Sequence, residues 1–383
     1  MNRDTRLVAL ALLLWGFGEG MFLYVQPLHI ERLGASPVQI GELLAAMSVV
    51  SAVSFLPAGA LADRLPRKWV MWGGWVLGLL AVLLTGLART WQGLIPGLLL
   101  YSLSAYCMPV INAYLAHAVD GCRLERTFTT VFTGYAAGAV LSPTVGGWLA
   151  EVTTMRTVYF VAAALFALST FTVVWVSPQP VPARVERRWR WRSLLNRQFL
   201  RFAALVWLAF VAMYVGFPLA PNFLADVRGW GVAWIGMLGS FQSLGTMLLN
   251  PLLGRLSDGH RARGLVIGQA LVWGASMVLL LSGAFPALVL AHLLRGAYQG
   301  CRLLTQARAT AFGGAAERGL LLGATEMTIA FAQVFAPCVA GWLYVGNPAY
   351  PFAASLALIP VAVLVAVIGR SRPLGATASG IGR

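Results

Sequence analysis

Long apolar runs recur along the chain, cut by short polar segments at near-regular intervals. A helix needs about 20 predominantly apolar residues to cross a bilayer. By that length the pattern predicts twelve spans, at 7–28, 38–62, 69–88, 92–117, 127–150, 157–176, 201–224, 232–254, 264–282, 285–309, 319–345 and 349–369. Most connections are short. The longest, SPQPVPARVERRWRWRSLLNRQF from Ser177 to Phe199, is polar, proline-bearing and rich in arginine. It divides the chain into a six-span bundle over 1–176, a basic linker over 177–200 and a second six-span bundle over 201–383. The predicted fold is all-α, an integral membrane protein of twelve transmembrane helices in two pseudo-symmetric bundles.

Composition agrees with lipid as the solvent. Hydrophobic residues make up 59% of the 383 and charged residues 11%, against about 25% charged in soluble domains. The net charge of +15 would suit nucleic acid only as a basic face on a soluble domain. Here the basic residues lie in short segments between apolar runs, so nucleic acid is not an expected partner. Their placement sets orientation instead. With a cytoplasmic N-terminus, the outside segments hold Arg32, Arg89, Arg156 and Arg228, whereas the inside segments hold Arg64, Arg67, Lys68, the seven arginines from Arg184 to Arg201 and most of the rest. The positive-inside rule then puts both termini and the linker in the cytoplasm of a multi-pass protein of the inner (plasma) membrane. Anionic lipid headgroups would be attracted to the linker. The first apolar run is too long for a signal-peptide core and lacks a small-residue cleavage site, so it is expected to stay as a span.

The halves repeat each other. IGELLAAMSVVSAVSFLPAGALAD (Ile40–Asp63) and IGMLGSFQSLGTMLLNPLLGRLSD (Ile235–Asp258) share Ile, Gly, Leu, Ser, Gly, Leu and Asp at a shift of 195. SPTVGGWL (Ser142–Leu149) and APCVAGWL (Ala336–Leu343) share Pro, Val, Gly, Trp and Leu at a shift of 194. Six spans intervene, so both halves have the same topology, related by an axis along the membrane normal with a cavity between them.

GALADRLPRK (Gly59–Lys68) resembles the loop signature of the major facilitator superfamily, Gly-x-x-x-Asp-Arg-x-Gly-Arg-Lys. It matches at Gly59, Asp63, Arg64, Arg67 and Lys68 and departs at Pro66; Asp258 repeats the acid. The resemblance implies that Asp63 meets the N-terminal end of span eleven near Gly319, a latch that holds when the cytoplasmic side is closed. A carboxylate so placed contributes about 0.3–1 kcal/mol. GAVLSPTVGG (Gly138–Gly147) is similar to the fifth-span motif of the superfamily's drug/proton antiporter-type exporters, with Ser142 in place of its second Gly. Gly134, Gly138, Gly146 and Gly147 would leave one face without side chains, and Pro143 would bend the helix. The resemblance implies that this face packs on span eight.

Ionisable residues at bilayer depth are functional by default. Glu19, flanked by Gly16, Gly18 and Gly20 in span one, could pass a proton to either side as the cavity alternates, and it resembles the first-span acid of such antiporters. Arg295 and Arg302 lie two turns apart on span ten. Arg302 falls at the depth of Glu326 in span eleven: the two either neutralise each other or leave Arg302 to grip an anion. The other candidates for the substrate cavity are Tyr24, Gln26, Tyr106, Asn112, Tyr135, Tyr214, Asn222, Gln242, Tyr298 and Gln333. Cys107, Cys122, Cys301 and Cys338 have no CxxC spacing, and no HExxH occurs, so no metal or cofactor is expected. No phosphate loop or nucleophile motif suggests an enzyme. The expected function is proton-coupled efflux of a small amphipathic or cationic compound, by one chain working as a monomer. The alternatives are an organic-anion, sugar or lysolipid transporter using Arg302, and an uncoupled lipid scramblase.

Overall fold

In a computed structural model, residues 3–118, 124–179, 196–258, 263–313 and 317–368 are described, without the side chains of 55–64, 116–118, 124–130, 258, 318–319 and 366–368. The described residues form sixteen α-helices and one short 3-10 turn, with no strand among them. They group into twelve rods. Span one is Arg3–Leu23, continued by a short cap helix Gln26–Arg32; span two is Pro37–Arg64, span three Arg67–Leu87. Span four is Trp91–Ser104 with Cys107–Ala118, span five Leu124–Val152, span six Met155–Val174. Span seven is Arg197–Tyr214, continued by a cap helix Ala220–Asp226; span eight is Val232–Asp258, span nine Arg263–Leu281. Span ten is Phe285–Arg295 with Ala297–Ala309, span eleven Arg318–Gly346, span twelve Tyr350–Ile368. Among the described residues nine helices are long and apolar enough to cross a membrane. Spans five, ten and twelve complete the twelve.

The apolar pattern marked spans one, four, seven and ten as unbroken, and the structure corrects this. Each is the first or fourth span of its half. Pro27 and Pro221 stand in the first turn of the two cap helices, where a residue without an N–H can begin a helix but not continue one. Gly216 and Pro218 fill the break in span seven, and Gly296 breaks span ten. Span two starts with a capping box: Ser36 N donates to Gln39 Oε1 at 2.8 Å and Gln39 N to Ser36 Oγ at 3.3 Å, with Pro37 as the first helical residue.

Arg3, Arg67, Arg197 and Arg263 each begin an odd-numbered span at one end of the bundle, here the basic end; Gly34 and Gly229 turn the chain at the far end. In the first half Trp15 stacks on Phe166 at 3.9 Å and meets Trp75 edge-on at 5.5 Å. Trp75 Nε1 donates to Ser169 Oγ, which donates to Ala11 O, both at 2.7 Å, so the buried polar atoms are satisfied. In the second half Phe210, Tyr214 and Phe217 surround Tyr298 at 5.2–5.6 Å.

The halves meet along spans five and eight and along spans two and eleven. The repeated residues are the contact. A Cβ on Gly147 would come within 2.7 Å of Val232 O, and one on Gly341 within 2.5 Å of Pro37 O; Gly236 faces Pro143 O as Gly41 faces Pro337 O. No side chain fits between such backbones. The glycines of span five do not share one face, however. Gly134, Gly138 and Gly146 lie against span one, at Ala9, Leu13 and Met21, and Gly147 alone of the four lies against span eight. Trp148 and Trp342, one residue past the contact glycines, are 58% and 69% exposed and face outward.

Candidate functional site

These inter-half approaches sit in the far half of the bundle, and polar contacts join them. Thr144 on span five holds Ser240 on span eight through its N–H at 3.0 Å and its hydroxyl at 2.7 Å. Glu151, at the end of span five, accepts from Ala233 N at 2.7 Å in the first turn of span eight. This is a carboxylate on the N-terminus of a helix from the other half. On the cap helices Asn222 Nδ2 donates to Pro27 O at 3.3 Å and to the Glu31 carboxylate. Burial holds the Glu31 carboxyl above the ordinary carboxylate range, with Asp226 pushing the same way and Asn222 and Arg32 opposing.

Beneath this closure lies a cavity of about 320 Å³ between the halves, walled by spans one, two, five, seven and eight. It brings together Glu19, Tyr24, Gln26, Tyr135, Tyr214 and Gln242 of the sequence candidates, with Phe217 and Pro143. Tyr135 on span five donates its hydroxyl to Glu19 Oε2 at 2.6 Å, and Tyr101 on span four lies close to the same carboxyl. The Tyr135 hydroxyl thus aims the acid into the space between the halves. The Tyr24 hydroxyl donates to His292 Nε2 at 2.6 Å, across the halves, while His292 Nδ1 donates to Leu288 O at 2.7 Å. The second bond fixes the tautomer that makes Nε2 an acceptor. Gly239 leaves the room that the Tyr24 ring occupies. Gln242 Oε1 is buried without a partner.

Other candidates lie elsewhere. Arg302 pairs with Glu326, Nη2 to Oε2 at 2.5 Å and Nε to Oε1 at 3.3 Å, each side chain 31% exposed. Of the two arrangements open in the sequence, this is the neutralising one, and neither residue lines the cavity. Tyr298 accepts from Gln333 Nε2 at 3.2 Å and sits in the aromatic cluster. Tyr106 donates to Val70 O at 3.1 Å, joining spans three and four. Asn112 is exposed near the basic end, and Asn222 is fully buried in the far-end closure.

In the 59–68 segment, Arg67 Nη1 donates to Ala113 O on span four and to Gln179 Oε1 at the start of the linker, both at 3.3 Å. Lys68 lies 5.1 Å over the Trp69 ring. The side chains of Asp63, Arg64 and Asp258 and the surroundings of Gly59 lie outside the described residues. Sequence reasoning missed Glu151, His292 as the partner of Tyr24, and Tyr101 as a neighbour of Glu19. A second depression of about 550 Å³, lined by Ala203, Trp207, Phe331 and Phe335 on spans seven and eleven, is apolar, with Phe331 and Phe335 exposed. Among the described residues no group of His, Cys, Asp and Glu could hold a metal ion.

Residues 8–235 match the family model of the Major Facilitator Superfamily, and residues 192–312 that of the LacY proton/sugar symporter. The multidrug resistance protein MdtG of Klebsiella pneumoniae (strain 342) is 30% identical over 248 residues, 61% of this chain and 60% of that relative. MdtG of Enterobacter lignolyticus (strain SCF1) is 27% identical over 321 residues, 79% of this chain and 76% of that relative. Among solved structures, the nucleoside transporter NupG superposes with a TM-score of 0.79 at 14% identity, over 96% of this chain and 98% of that one. A bacterial homologue of the lysosomal transporter Spinster, inward-facing and occupied, gives 0.73 at 15%, over 95% and 94%. Likenesses at this identity carry the fold.

Proposed function

The chain belongs to the major facilitator superfamily, transport proteins rather than enzymes, and from that premise we propose that it exports a small amphipathic or cationic compound in exchange for protons. The observation that carries this is the Glu19 carboxyl: it lines the cavity between the halves and is held by Tyr135 at 2.6 Å. An acid there meets a proton or a cationic group, but not both, and that exclusion is the core of exchange. The names of the MdtG relatives support efflux.

The basic end faces the cytoplasm of the inner membrane on the arginine distribution, which makes the described closure the outer gate. Residues 1–176 and 201–383 rock about the cavity, tied by the linker 177–200. Gly59, Asp63, Arg64, Arg67, Lys68 and Asp258 form the latch of the opposite, cytoplasmic gate. Gly138 and Gly146 with Pro143 fit span five to span one and to the cavity, and Gly147 seals against span eight. Tyr135 is a positioning residue for the acid.

The test is uptake of a lipophilic cation into proteoliposomes under an imposed pH gradient. Wild type should accumulate it, and Glu19→Gln should show only the equilibration seen without a gradient. Accumulation by Glu19→Gln equal to wild type would overturn the assignment.

A further inference from the structure

Arg295 is 2% exposed in the interior of the second half. A guanidinium stays charged there, and a charge at that depth calls for a partner. Its partners in the structure are few. Nη2 donates to Gly216 O at 3.2 Å, and the guanidinium lies 3.9 Å over the Phe217 ring. Nη1 is buried and has no partner. Among the described residues no carboxylate pairs with Arg295. Its electrostatic neighbours are Tyr24 and Tyr214, and both line the cavity with Phe217.

The internal repeat sharpens the point. At a shift of 195 Glu19 corresponds to Tyr214, and at 194 Tyr101 corresponds to Arg295. The first half therefore sets an acid beside a tyrosine, and the second half sets a tyrosine beside a cation, at equivalent places. Glu19 lines the cavity, whereas Arg295 stands just outside its wall, behind the Phe217 ring. Phe217 stands in the non-helical break of span seven, so it can turn aside without unwinding a helix.

We propose that Arg295 is an anion-receiving group of the cavity, taking on its free Nη1 the oxyanion of a zwitterionic amphipathic substrate whose cationic end meets Glu19. Such a substrate would supply the missing counter-charge and lay its apolar body on Phe217 and the tyrosines. Arg302, already neutralised by Glu326, does not take this part. The proposal deepens the transport reading by naming a substrate class, and it rests on the same cavity. It is independent of whether Glu19 carries the proton.

The test is equilibrium binding, with no gradient, to protein in lipid nanodiscs. Two probes share one body: N-octanoyl-phenylalanine, a carboxylate, and its neutral primary amide. Wild type should bind the acid more tightly than the amide. Arg295→Gln should lose on the order of tenfold for the acid, the scale of a charge-assisted bond, and leave the amide unchanged. Arg295→Lys should keep part of the preference, which also covers the case in which Arg295→Gln fails to fold. Arg302→Gln with Glu326→Gln should keep all of it. Equal binding of acid and amide by wild type would overturn the proposal. So would an equal loss of both probes in Arg295→Gln, or loss of the preference in the Arg302 and Glu326 pair. Because no gradient is used, failure of Glu19→Gln to change transport would count against the exchange reading alone.

Discussion

At the scale of single residues the proposed exchange rests on Glu19 and the Tyr135 hydroxyl that holds it. Tyr135→Phe removes the hydroxyl that donates to the carboxyl. A hydrogen bond of this kind contributes about 0.5–1.5 kcal/mol net, and more to a charged group. Gradient-driven transport should fall by about two- to tenfold in Tyr135→Phe, with the fold unchanged by thermal melting. Glu31 gives the pH prediction. Its carboxyl is held above the ordinary range in the closed far end, and opening would expose it to water and return it towards that range. The closed form then binds the proton more tightly, so acid on that side favours closure, and the preference fades as pH rises past the raised value. Spin labels on the two cap helices should report a shorter mean distance as pH falls, and Glu31→Gln should flatten the response.

Residue type alone was a poor guide to partners. Arg302 and Glu326 were legible as neighbours because two helices joined by a short loop place them at one depth. Arg295 was not separable from Arg302 on paper. Which cation finds a carboxylate depends on rotation about the break at Gly296, and an ideal helix hides that. Glu151 gave no signal, since a carboxylate at a span end reads as solvated until the other half brings Ala233 N to it at 2.7 Å.

At the scale of elements, glycine placement decides how close helices come. The sequence marked Gly134, Gly138, Gly146 and Gly147 as one bare face, and the structure divides them between span one and span eight. The two sets should fail differently. Gly138→Val, wedged within 2.8 Å of Leu13 O, breaks packing inside the first half and should lower its melting temperature. Gly147→Val acts between the halves. It should leave melting nearly unchanged and hold the far end apart, so that a cysteine at position 240 reacts with a membrane-impermeant maleimide where it is protected in the parent. The Glu151 cap is milder. Losing a carboxylate from a helix N-terminus costs about 0.3–1 kcal/mol, so Glu151→Gln should raise that labelling rate about two- to fivefold.

At the scale of the whole molecule, most of the fold was readable because lipid imposes it. Span length, short loops and the repeat at 194–195 leave one arrangement of two like halves. The repeat said more than topology. Gly41 with Gly236, and Gly147 with Gly341, proved to be the inter-half contact itself. What it could not show is where the halves differ in chemistry: Glu19 set against Tyr214, and Tyr101 against Arg295. Of these, Glu19 and Tyr214 line the cavity between the halves, and the proposed exchange rests on that asymmetry.

The central claim is that the Glu19 carboxyl gives up its proton when the substrate arrives. The direct measurement is proton release on adding saturating lipophilic cation to purified protein in weakly buffered detergent solution, read with a pH indicator at several starting pH values. Wild type should release up to about one proton per bound cation, and Glu19→Gln should bind with no release. Release of the same size from Glu19→Gln, or binding by wild type with none at any pH, would contradict the account.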